Sequence, residues 1–275
     1  MKVVALISGG KDSIFNMMKC EENGHEVIAL ANLYPPRNGP KELDSYMYQS
    51  VGSEVIEDVA KCLGLPLYRA PIIGKPLLKD LDYPDYPDSI VNADSSNGSN
   101  IEEDEVESLY HLLKKIIQIH PEIDAVSSGA IASTYQKNRV EAICRRLGME
   151  LKQDGKALVS LAYLWGEEQG ALLTKMVSAD INAILIKVAG MGLDQEDLGK
   201  TIKEMCPKML ELQEKWGTHP CGEGGEFESL VLDCPLYKSQ RIVLDNINVK
   251  KHDSLFDVYY LSIDSYHLEE KVCSC

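Results

Sequence analysis

Two short stretches carry residue types that can do chemistry. One is Ser8-Gly9-Gly10-Lys11-Asp12-Ser13, directly after the apolar run VVALI at 3–7; the other is GEGGEFES at 222–229. The hexapeptide is suited to phosphate. Gly9 and Gly10 permit unusual backbone angles and let an anion approach the main chain. Amides at the start of a following helix would point at that anion, with the positive end of the helix dipole behind them. Ser8 and Ser13 add hydroxyl donors, and Lys11 adds a positive charge. Asp12 has the wrong sign beside phosphate unless it holds Mg²⁺ or caps the helix. The spacing is neither that of the Walker loop nor that of the G-x-G-x-x-G dinucleotide turn. A strand–helix turn that merely tolerates Ser, Gly and Asp would explain two glycines; the complete hexapeptide after a buried strand favours phosphate.

In the second stretch Glu223, Glu226 and Glu228 surround Gly224-Gly225 and lead into an apolar run. Glu226 and Glu228 share one face if a strand begins there. A glycine hairpin with solvated acids is the plain alternative. His219 and Cys221 lie at the edge of the motif. A thioester through Cys221 is conceivable, but no residue in the sequence is an obvious activating partner, and a packed thiol is favoured.

These residues need a scaffold. Residues 3–7 form a run suited to a strand buried on both faces, as in a parallel sheet. A helix is predicted over 13–22, a strand over 26–34, an amphipathic helix over 43–63 and a strand over 65–72. This βαβαβ order implies a parallel sheet. Residues 82–105 are rich in Pro, Asn, Ser and Asp, and are predicted to form a mobile acidic surface insertion. A helix ending at His120, a strand over 123–131 and a helix over 133–147 follow. The strand ends in small residues, Ser128-Gly129-Ala130, where open α/β sheets place ligands. Beyond residue 154 the pattern predicts a helix in LWGEEQGALLTKMVSA, a strand from 182, a helical stripe from Leu198 to Trp216 broken or kinked at Pro207, and three further strands. The division is therefore 1–153 for nucleotide binding and 154–275 for substrate recognition, a smaller C-terminal α/β region.

The formal net charge is −15, which disfavours direct nucleic-acid contact and gives no help at anionic membranes. No run of about 18 apolar residues suggests a membrane span. The eight cysteines include no Cys-x-x-Cys pair. With no secretion signal they read as reduced thiols of a cytoplasmic protein. Cys273 and Cys275 read as a frayed terminus, not a metal site.

SGGKDS at 8–13 resembles the PP-loop motif SGGxDS of the N-type ATP pyrophosphatases, matching every specified position. The resemblance implies a Rossmann-like (HUP-type) parallel sheet over roughly the first 150 residues, ATP with Mg²⁺ as cofactors, and adenylation of a substrate with release of pyrophosphate. SSGAIASTYQKNRVEAICRRLG at 127–148, HPCGEGGEFESLVLDCP at 219–235 and Leu164-Trp165 resemble the diphthine–ammonia ligase family, over the whole chain. That family activates the diphthine carboxyl of translation elongation factor 2 with ATP, and ammonia makes the amide. Some eukaryotic members carry additional C-terminal domains, and this chain resembles the short form. No glutaminase-like segment is visible, so free ammonium is the default nitrogen source.

The resemblance implies roles for particular residues. Ser8, Gly9, Gly10, Lys11, Asp12 and Ser13 would hold ATP, with Asp12 on Mg²⁺ and Lys11 stabilising pyrophosphate. Gly129 and Ala130 would meet adenine or ribose, and Arg139 would reach a phosphate, although a solvated helix face would also explain Arg139. Glu223, Glu226 or Glu228, with Tyr135, Trp165 or Phe227, would line a pocket for the trimethylammonium group of diphthine. One of the glutamates could instead bind ammonium and take its proton. Two rivals remain at this stage. A PP-loop enzyme acting on tRNA would need a basic face, and a nucleotide sensor without chemistry would leave GEGGEFES idle.

Overall fold

The computed structural model describes residues 1–36, 51–78, 80–81, 83, 104–152, 157–252 and 257–271. Val3, Val4 and Ala5 of β1 (Lys2–Leu6) are fully buried, as a strand covered on both faces requires. β1 pairs in parallel with β2 (Glu26–Tyr34) on one side and β4 (Ile123–Ser127) on the other. β3 (Leu67–Pro71) extends the sheet beyond β2, and β5 (Val159–Leu161) extends it beyond β4. The order β3-β2-β1-β4-β5 is the Rossmann-like sheet expected. The strand order reverses between β1 and β4, so the crevice at their carboxyl ends is the place for a ligand. β5 falls past the division at 153 and was not foreseen.

The helices of this half are α1 (Lys11–Glu22), α2 (Ile56–Leu63), α3 (Glu105–Ile119) and α4 (Thr134–Leu151). Of the helix predicted over 43–63, residues 43–50 lie outside the described residues. The remainder begins only after Gly52, whose φ of 79° is left-handed and cannot continue a helix. Most of the proposed insertion, 84–103, also lies outside the described residues. Its flanks are not solvated as predicted: Tyr83, Asp104 and Glu105 are buried. The Asp104 carboxylate accepts the amides of Leu77 and Leu78 with one oxygen and caps α3 through Val106 with the other.

The C-terminal region holds α5 (Gln169–Ser178), α6 (Ile202–Trp216) and an antiparallel sheet. The strands are β6 (Asn182–Ala189), β7 (Phe227–Asp233), β8 (Gln240–Lys251) and β9 (Val258–Glu270), in the order β7-β6-β9-β8. α6 runs through Pro207 as one helix and is not split into two there. Its start is secured by a capping box between Thr201 and Glu204. One apolar core is continuous between the two regions: Val3, Ile14 and Ile56 belong to the same buried cluster as Ile186, Leu230 and Met209. β7 is the strand of the second sheet that meets α1.

Candidate functional site

The PP-loop leaves β1 at Ile7, whose amide donates to Ala31 O at 2.9 Å. Gly9 has φ +81°, and a Cβ there would lie 2.7 Å from Ile56 Cδ1. Both facts require glycine. Gly10 is the N-cap of α1 and has no side chain with which to cap it. Four later helices are capped by a side chain, α3 by Asp104, α4 by Ser133, α5 by Glu168 and α6 by Thr201, whereas α2 is not.

β7 is bonded to this loop. The Val231 amide donates to Gly9 O at 2.8 Å, and the Lys11 amide donates to Ser229 Oγ at 3.2 Å. Lys11 is only 2% exposed. Its ammonium donates to Cys221 O at 2.5 Å and to Asp12 Oδ2 at 3.0 Å, and lies 4.6 Å over the Phe227 ring. Thus HPCGEGGEFESLVLDCP at 219–235, more than two hundred residues downstream, is joined to SGGKDS through Cys221, Ser229 and Val231. Ser13 Oγ closes the loop on Gly10 O at 3.0 Å.

A cavity of about 220 Å³ opens at the carboxyl ends of β1, β2 and β4. Ser8, Asp12, Ser13, Gly129, Ala130 and Glu223 line it, so six of the predicted site residues converge there. The remaining wall includes Ile7, Asn32, Leu33, Leu109, Ser128 and Gln136. Of these, Ser128 was singled out only as part of a strand end. Asn32 was missed, although a polar residue inside EVIALANLY was a signal. Its amide nitrogen donates to Ile7 O at 2.9 Å and its oxygen accepts from Arg69 Nε at 2.9 Å. Asn16, also missed, is fully buried in α1 and joins it to Ser127 Oγ, Leu161 O and the Tyr163 amide.

The β4–α4 loop forms the opposite wall. A Cβ on Gly129 would lie 2.7 Å from the Ser13 nitrogen and 2.8 Å from the Asp12 carbonyl carbon. Gly129 therefore serves close approach of two main chains. Glu223 Oε1 accepts the amides of Ile131, Ala132 and Ser133 at 3.0, 3.0 and 2.9 Å. Burial pushes the Asp12 carboxyl above its ordinary pKa, with Lys11 opposing and Glu223 assisting. Asp12 Oδ1 is buried and has no hydrogen-bond partner.

The three glutamates do not share one environment. Glu226 lies one residue before β7 and accepts the His219 amide through Oε1 at 2.8 Å. Glu228 pairs with Lys187 across the β6–β7 ladder, at 3.3 Å. Arg139 is neither exposed nor on the cavity wall. It is fully buried, donates to Tyr135 O, Leu78 O and Asp80 O, and stacks 3.2 Å from the Tyr135 ring centroid. Its donors hold Leu78 and Asp80, and its burial corrects the solvated-face alternative. Tyr135 itself donates to Leu78 O. Trp165 lies under Lys137, and Phe227 is buried beneath Lys11. The three aromatic residues thus meet three different cations, Arg139, Lys137 and Lys11. Burial pushes the Cys221 thiol up to about 12, as a packed and unreactive thiol requires.

Comparison with known proteins shows the family. The diphthamide synthase N-terminal domain matches residues 1–76 and 91–151, and the diphthamide synthase C-terminal domain matches residues 168–268. The diphthine–ammonia ligase of Mus musculus is 47% identical over 279 residues, covering 100% of this chain and 95% of the relative. That of Homo sapiens is 46% identical, with the same coverage. The diphthine–ammonia ligase of Schizosaccharomyces pombe is 50% identical over 96% of this chain, which spans 39% of that longer protein. The chain belongs to the diphthamide synthase family.

Proposed function

We propose that this protein amidates diphthine on translation elongation factor 2 in the cytoplasm, using ATP and ammonia and releasing AMP and pyrophosphate. Family membership makes it an ATP-dependent ligase. The observation that carries the finer reading is the joining of the two motifs. GEGGEFES is bonded to the PP-loop, and its Glu223 forms part of the wall of the cavity beside Ser8, Asp12 and Ser13.

The apolar side chains Ile7, Leu33 and Leu109 suit a purine, and the loop at the start of α1 suits its phosphates. The diphthine carboxylate oxygen attacks the α-phosphorus and forms an acyl–phosphate bond; pyrophosphate leaves with the electrons of the broken bond. Ammonia then attacks the acyl carbon, AMP departs, and the nitrogen loses one proton. The protein's contribution is positioning and preorganised charge. Lys11 supplies positive charge beneath the loop, where low solvent access strengthens its field. Asp12, with its unpartnered Oδ1, is the residue that would hold Mg²⁺. Bound there, the ion would neutralise charge on pyrophosphate.

The test supplies the purified protein with ATP, ammonium chloride and diphthine-bearing elongation factor 2. AMP and pyrophosphate should form in equal amounts, and only with all three present. ADP as product, or turnover independent of the modified factor, would contradict the proposal.

A further inference from the structure

A much smaller cavity, of about 10 Å³, is lined in part by Phe227. That is close to the least volume that holds one water-sized molecule. Its wall is mostly apolar, from Leu193, Met209, Leu212 and Phe227, and includes His219 and Glu226. Each of these two residues carries one buried polar atom with no partner: His219 Nε2 and Glu226 Oε2. Their other polar atoms are engaged. Glu226 Oε1 accepts the His219 amide, and His219 Nδ1 accepts the Cys221 amide at 3.2 Å. The bond to Nδ1 puts the proton of the neutral ring on Nε2. Burial holds the ring below its ordinary pKa, which favours that neutral form. The cavity therefore offers one donor and one acceptor in a space for one small molecule. Unpaired buried polar atoms of this kind are costly unless a guest satisfies them.

Three features point to the guest. Met191, on the same wall, is 52% exposed. Phe227, also on this wall, lies under the Lys11 ammonium, which holds Cys221 O. Ammonia has the size of water, a lone pair to accept from Nε2–H, and hydrogens to donate to Glu226 Oε2. Ammonium would have no lone pair for the imidazole donor.

We propose that His219 and Glu226 form the subsite for the nitrogen nucleophile, holding one ammonia molecule beside the adenylating centre. The proposal rests on the adenylation and amidation described above. When the nitrogen lone pair forms the new C–N bond and AMP leaves, the proton shed by nitrogen passes to Glu226 Oε2 and then to solvent.

Glu226→Gln keeps an oxygen for the His219 amide but replaces the second acceptor by a donor. His219→Leu removes the imidazole donor. Ammonium chloride is titrated at saturating ATP and modified factor, and ATP–pyrophosphate exchange with the modified factor is measured without ammonium. Loss of a hydrogen bond in a desolvated site should raise the KM for ammonium about tenfold or more in each variant. Exchange, which reports adenylation alone, should stay within about twofold of the unsubstituted protein if the subsite serves only the second step. An unchanged ammonium KM in Glu226→Gln, or a fall in exchange equal to the loss of amidation, would overturn the subsite while leaving the adenylation mechanism standing. No exchange in the unsubstituted protein would overturn both.

Discussion

The loops that leave β1 and β4 are alike in residue type, SGGKDS and SSGAIAS, but their backbone donors are spent differently. After β4, one carboxylate oxygen of Glu223 takes three successive amides, and the Ser133 hydroxyl caps α4. After β1, the helix starts at a glycine that offers no cap, and the hydroxyls of Ser8 and Ser13 lie beside it on the cavity wall. The first loop already contains its anion; the second is left for one from outside. The satisfied start of α4 forms one wall of the cavity, and the start of α1, at a glycine without a cap, faces it.

The largest test of this contrast is Gly129→Ala. Its Cβ would meet the backbone of Asp12 and Ser13, which cannot rotate away, so the two loops must separate. Misplacement on the order of 1 Å can cost about 100-fold in rate, and a loss of that size is expected in turnover. A melting curve would show whether the fold survives. Glu223→Ala comes next. It leaves three amides without their acceptor, and a KM for ATP raised about tenfold is expected from loss of hydrogen bonds to a charged group. Glu223→Gln retains an accepting oxygen and should lie between the two. Equal loss in Glu223→Gln and Glu223→Ala, confined to kcat, would instead mark Glu223 as a proton carrier.

Ser13→Ala should weaken ATP binding by about three- to tenfold, the worth of one hydrogen bond, as read by calorimetric titration. Cys221→Ala should be the mildest change. A thiol pushed up to about 12 is no nucleophile at neutral pH, and its substitution should alter turnover by less than about threefold. A hundredfold loss there would revive the thioester.

The sheet and PP-loop were legible because both are local. A buried strand reads as an apolar run, and a glycine-rich turn is written in consecutive residues. β5 was not legible, since three residues, Val159–Leu161, carry no period. Pro207 does not split α6, because its ring removes one helical bond while a capping box and a buried face hold the rest. Arg139 misled. A charged residue in QKNRVE looks solvated or catalytic, yet three carbonyls and two tyrosine rings take it into the interior. Its partners Leu78 and Asp80 lie about sixty residues away in sequence, and no spacing rule links them. The three glutamates were legible as a group but not as individuals, because their partners lie on the β4–α4 loop, at His219 and on β6.

A crystal structure with α,β-methylene-ATP would test the contrast between the two loops most directly. The phosphates should lie against Ser8–Ser13 at the start of α1, with the base near Ile7 and Leu33 and with Glu223 still holding the amides of Ile131, Ala132 and Ser133. Phosphates that displace Glu223 and occupy those three amides, or a nucleotide bound away from this cavity, would contradict the account.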